Sequence, residues 1–145
     1  MPSAVSVKHS KCALQFEATL VQLASIVTQI KTDEGIVRRN GGAVLALLVG
    51  RERSSVGQDR ELYHRLSSWC LKVLHRLLAS WLVRGVLPSA QGAHEFFIQS
   101  SAGDVFRIVE GHLPAFIPMD LARQILFIGE AVHVLHRSKH VTLGT

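Results

Sequence analysis

The chain has 145 residues, 48% of them hydrophobic and 19% charged, which makes it one domain or part of one and excludes a disordered polar tail. Its mean hydropathy of +0.24 calls for a generous core or for apolar surface that awaits a partner. Sixteen Lys+Arg against eleven Asp+Glu give a net charge of +5, but the cations are scattered, with no run longer than Arg38-Arg39, so a solvated basic surface accounts for them.

In chain order, the opening "MPSAVSVKHSKCALQFEATL" has no compact apolar run with a small-residue cleavage site, so it does not read as a signal peptide. Residues 13–31 space Leu14, Ala18, Val21, Ile26 and Ile30 as an amphipathic helix, which Asp33-Glu34-Gly35 either ends or follows with a new turn. A shorter helix is expected over 36–50, with a break at Asn40-Gly41-Gly42 and a stop at Gly50. Its core, "GGAVLALLVG", is half the roughly 20 residues that a membrane span needs, and arginines flank it.

"SSVGQD" (54–59) reads as a loop that leads into a long helix over 60–87. There Leu62, Leu66, Trp69, Val73, Leu77 and Trp81 recur every three or four residues. Asp59 is the expected N-cap, and Gly85 with Pro88 the expected stop. "LPSAQGAH" is a turn-rich connection. "EFFIQ" (95–99) and "VFRIV" (105–109), separated by "SSAGD", favour a small hairpin that must pack on helices. "EGHLPAFIP" reads as an extended link that Pro114 and Pro118 hold straight. A final helix over 119–137 carries the stripe Leu121, Ile125, Ile128, Val132 and Leu135. Gly129 interrupts it at a cost of up to ~1 kcal/mol against alanine, and its expected use is the close approach of another backbone. The fold class is therefore mainly α, a helical bundle with a small β-hairpin at about 95–109. Its expected core is Leu66, Trp69, Val73, Leu77, Trp81, Ile125, Ile128 and Val132, with Gly129 at a close crossing.

Candidate chemistry is thin. His133, His136 and His140 fall near one helix face, but no neighbouring Cys, Asp or Glu completes a zinc set, so no metal is expected. Cys12 and Cys70 are isolated, without disulfide or zinc spacing. No G-x-S-x-G, P-loop or G-x-G-x-x-G occurs, and the carboxylates are dispersed, so no catalytic residue and no cofactor is expected. A small basic helical nucleic-acid-binding module is the alternative reading, since Arg65, Lys72 and Arg76 share a helix with Arg84 behind them. A groove-reading helix concentrates more charge than this, and the two tryptophans read as core, so nucleic acid is set aside as a partner.

One resemblance covers residues 20–137. "LLASWLVRGVLPSAQGAHEFFIQ" (77–99) followed by "HLPAFIPMDLARQILFIGEAVHVL" (112–135) resembles the gamma-tubulin complex components, most nearly the fourth. The pattern is carried by Leu78, Trp81, Leu82, Gly85 and Leu87, then Glu95 to Ile98, then Leu113, Pro114, Phe116, Ile117 and Pro118. It closes on Ala122, Ile125, Leu126, Ile128, Gly129 and Glu130, while "LASIVTQIK" (23–31) fits an earlier helix of the family. The insert between Ile98 and Leu113 is short, and most of the acidic residues usual in the fourth component are missing from it. The resemblance implies that residues 1–145 form part of an N-terminal, gamma-ring-protein-type helical domain, in a fragment or short isoform without the C-terminal gamma-tubulin-binding domain. It implies lateral contacts with other gamma-tubulin complex components, with gamma-tubulin reached only indirectly. A structural, non-enzymatic role in microtubule nucleation at a cytoplasmic microtubule-organising centre would follow, with no membrane involved.

Overall fold

A computed structural model describes the backbone of residues 4–31, 40–87 and 95–142, and their side chains except at 4–13, 15–16 and 140–142. Among these residues are four helices, α1 (Ala4–Ile30), α2 (Gly41–Ser54), α3 (Gly57–Arg84) and α4 (Met119–Thr142). Between α3 and α4 lie strands β1 (Ile98–Ala102) and β2 (Val105–Ile108) and a 3-10 turn, Glu110–His112. The chain is thus mainly α with a small antiparallel hairpin, as the sequence leads one to expect. None of the described helices is long and apolar enough to cross a membrane.

Several boundaries differ from expectation for local reasons. Helix α1 begins at Ala4 rather than 13, because no glycine or proline interrupts the chain from there to Ile30. The expected stop at 33–35, residues 36–39 of the second helix and the connection containing Pro88 lie outside the described residues. Asn40 does not break a helix but starts one: its side-chain oxygen accepts a 2.9 Å hydrogen bond from Ala43 N–H. Gly50 does not stop α2, which continues one turn to Ser54. Helix α3 starts two residues before Asp59, at Gly57, so Asp59 lies inside the first turn, where its charge complements the helix dipole. Gly85 ends α3 in the left-handed region (φ 63°), a conformation that glycine adopts without a Cβ penalty.

The hairpin is displaced by three residues on its first strand. Phe96, Phe97 and Ile98 are all buried, so "FFI" enters the core as a continuous plug and does not alternate across a sheet. Pairing runs from Ile98 with Ile108 to Ala102 with Val105, irregular between Ser100 and Ala102. The link to α4 is folded, not extended. It contains the 3-10 turn and a second turn closed by Ile117 N–H donating to Pro114 O at 2.9 Å.

Two apolar clusters hold these elements. One joins α1, α2 and the first half of α3 through Ile26, Leu48 and Tyr63, with Leu66 and Cys70 against it. The other joins the end of α3, the "FFI" plug, the link and α4 through Trp81, Ile117, Ala122 and Ile125. Between α3 and α4, residue numbers rise together at the contacts, Trp81 beside Ile125 and Gly129 and Gly85 beside His133. The two helices therefore run in the same direction, offset along their axes.

That offset corrects the expected core. Trp81 and Ile125 are buried, and Leu66, Leu77 and Val132 are half-buried. Trp69, Val73 and Ile128 instead stand 67%, 55% and 48% exposed. The first half of α3 lies before α4 begins; Trp69 turns outward there, and Val73 stands at the edge of an open cleft between α2 and α3. Ile128 points away from the α4 face that packs on Trp81.

Candidate functional site

The best-defined constellation lies where α3, the hairpin and α4 meet. Trp81 is fully buried, and its Nε1–H donates to the Ile125 carbonyl at 3.0 Å, which satisfies the one polar atom of the indole. The ring rests on Gly129, where an added Cβ would stand 1.9 Å from Trp81 Cε2. The glycine in α4 therefore admits a side chain, not the backbone that its position in the apolar stripe suggests. The close backbone approach occurs at Gly85, where a Cβ would meet His133 N at 2.3 Å. The His133 ring is tied there too, its Nδ1 2.7 Å from Gly85 O. Phe106 from β2 packs on both partners, its ring centroid 4.7 Å from Trp81 and 5.0 Å from His133. Beyond it, Arg137 of α4 pairs with Asp104 in the hairpin turn.

A second junction seats the start of α2. The Asn40 amide donates to Gly111 O, and Gly41 N–H donates to the Glu95 carboxylate, an anion at a helix N-terminus. Gly42 makes the fit possible, since a Cβ there would lie 2.3 Å from His112 O. These two junctions bring together residues far apart in the chain. Local pattern marks Gly85 only as a helix stop and Asn40-Gly41-Gly42 only as a break. The one signal in the sequence is that both sites set a glycine at a helix end, where a neighbouring segment can come close.

Groups with chemical potential are engaged structurally. Glu52 of α2 lies 2.8 Å from His64 Nδ1 and accepts a 2.8 Å bond from the Ser67 hydroxyl. These bonds, His64 first and then Ser67, hold its carboxyl below the ordinary value of 4.5. The order is wrong for a hydrolytic triad: the serine donates to the carboxylate, so the imidazole is not placed to take its proton. Burial raises the pKa of the Cys70 thiol, which makes it a poor nucleophile. His133 is committed to Gly85, His136 is exposed, and the His140 side chain lies outside the described residues. No group of three or more His, Cys, Asp or Glu among the described residues could hold a metal. A cleft of about 410 Å³ between α2, α3 and the hairpin base is mainly apolar, lined by Leu45, Cys70, Val73, Leu74 and Phe97.

What the molecule does present is apolar helix surface. On α4, Phe127, Ile128, Val134 and Leu135 form an exposed stripe opposite the Trp81 face, with Phe127 at 72% exposure. On α3, Trp69, Val73 and Val83 are exposed, and on α1, Leu20, Val21 and Val27. Apolar stripes of this kind suit helix–helix contact.

Comparison with known proteins agrees with this character. Residues 4–143 match the family model described as gamma tubulin complex component N-terminal. The chain is 32% identical over 136 residues to a gamma-tubulin complex component 4 homolog of Medicago truncatula, an alignment that covers 73% of this chain and 18% of the relative. It is 30% identical over 143 residues to gamma-tubulin complex component 4 of Arabidopsis thaliana, covering 78% of this chain and again 18% of the relative.

Proposed function

Because this chain belongs to the family of gamma-tubulin complex components, matched over 4–143 by the model of their N-terminal domain, we propose that it acts as a structural member of that complex. Its contribution is to microtubule nucleation at a cytoplasmic microtubule-organising centre, by lateral contact with other components and without chemistry of its own. Gamma-tubulin is reached through those neighbours. The observation that carries the reading is the family match, together with helices that are apolar on a second, outward side. Since the chain spans only 18% of the relatives' length, we take residues 1–145 as part of the N-terminal domain. In a full-length member, further helices would lie over Phe127, Ile128, Val134 and Leu135. The junction at Gly85 and Gly129 serves this role by fixing α4 against α3, so that its outward stripe is presented at one angle.

Affinity purification of the tagged chain from a cell extract tests this. Other gamma-tubulin complex components are expected in the eluate, and gamma-tubulin only along with them. Recovery of gamma-tubulin without those components, or of no component at all, would refute the scaffold role.

A further inference from the structure

Helix α3 is charged on one sign only over most of its length. Its carboxylates, Asp59 and Glu61, lie in the first turns, and none follows from Leu62 to Arg84. Arg65, Trp69, Lys72, Val73, Arg76 and Val83 are all exposed, and they stand at −4, 0, +3, +4, +7 and +14 from Trp69, which places them on one face. From Arg65 to Arg76 this ridge runs about 16 Å along the helix axis; beyond it Ser80, on the same face, is buried, so Val83 stands apart. Lys72 Nζ lies 4.7 Å from the centre of the Trp69 ring, a cation over its π face. Among the described residues none of Arg65, Lys72 and Arg76 takes part in an ion pair.

We propose that this face of α3 is a docking surface for an acidic amphipathic helix of a partner protein. The partner's apolar stripe lies over Trp69 and Val73, and its carboxylates lie beside Arg65, Lys72 and Arg76. Tryptophan and arginine are the residue types that concentrate binding energy at interfaces, and a linear ridge at helical spacing matches a helical occupant. The unopposed positive charge selects an acidic partner and disfavours a second copy of this chain, whose net charge is +5. It also argues against nucleic acid, because Trp69 offers this face a single ring, already covered in part by Lys72, and three cations neutralise about three phosphates at most. The surface is a property of α3 alone and stands whether or not the assembly role holds.

The test titrates the full chain with a synthetic helical peptide of about 20 residues, long enough to span the ridge, that carries leucine along one stripe and glutamate beside it. The controls are a scrambled peptide of the same composition, a lysine-for-glutamate version and a single-stranded oligonucleotide. Binding of the acidic amphipathic peptide should shift the Trp69 emission to the blue and weaken as salt is raised. Trp69→Ala and Lys72→Glu should each weaken it about tenfold or more. Neither change removes a core side chain, so the circular-dichroism melt checks that the fold is kept; if Trp69→Ala unfolds, Lys72→Glu and Arg76→Glu decide. Equal binding of the scrambled or lysine peptide would overturn the proposal, as would tighter binding of the oligonucleotide. So would unchanged affinity in the variants, or self-association that Trp69→Ala abolishes.

Discussion

Gly129→Ala isolates the contact on which the α3–α4 junction rests. In a free helix this change is favourable by about 1 kcal/mol, because alanine loses less backbone entropy than glycine. Here the new Cβ would stand 1.9 Å from both Cε2 and Nε1 of Trp81. The indole has no space to retreat into, since it is fully buried against Phe106 and anchored by its hydrogen bond to Ile125 O. Overpacking of this kind costs about 1–3 kcal/mol, and straining or breaking the indole bond adds roughly 0.5–1.5 kcal/mol. Against the propensity gain, the net destabilisation is about 2 kcal/mol, or a fall in Tm of roughly 4–8 °C for a chain of this size. Thermal unfolding followed by far-ultraviolet circular dichroism reads it. Gly50→Ala supplies the control on another helix, because nothing lies within 4 Å of its Cβ position. That variant should gain up to about 1 kcal/mol. If Gly129→Ala were as stabilising as Gly50→Ala, Trp81 would not rest on α4 and the junction would be refuted.

Three further outcomes are expected. Glu52 has a folded-state pKa below its ordinary 4.5, so its bonds to His64 and Ser67 contribute fully above that value and are lost as pH falls through the lowered one. The stability difference between wild type and Glu52→Gln should therefore be constant near neutrality and shrink in acid below 4.5; a difference that grows in acid would contradict the assignment. In a Cys12→Ser background, Cys70 should react with iodoacetamide more slowly than glutathione does at about pH 8, and reaction at an equal or higher rate would mean that the thiol is not shielded. The isolated chain should bind a hydrophobic dye or self-associate through the outward face of α4, and the double change Phe127→Glu with Ile128→Glu should reduce both. A wild-type chain that is monomeric, dye-negative and cooperatively melting would show that this face does not await further helices.

The parts of this fold legible in the sequence are those set by short-range pattern. Leucines and tryptophans every three or four residues identify α3, and the Gly85 stop is where it belongs. Two aromatic, β-branched segments around a glycine identify the hairpin, although the buried "FFI" plug moves its first strand by three residues. The link before α4 departs from its pattern because Pro114 does more than straighten the chain: its carbonyl accepts the bond that closes a turn. The exposed ridge on α3 is invisible to periodicity for an instructive reason. Trp69 matches the spacing of the core as well as Trp81 does, and nothing local separates a tryptophan that is fully buried from one that is 67% exposed.

By itself, the sequence determined the helical class, the positions of the longer elements and, through ordered motifs from Leu78 to Glu130, the family. Periodicity states that a helix has an apolar side, since side chains three and four apart share a face wherever the helix is placed. Only the tertiary structure decided which apolar sides are covered. With α3 and α4 running in the same direction but offset, Trp81 found Gly129 and Ile125, while Trp69, Val73 and Ile128 were left largely uncovered. Burial belongs to pairs of elements, and it depends on where the second element begins.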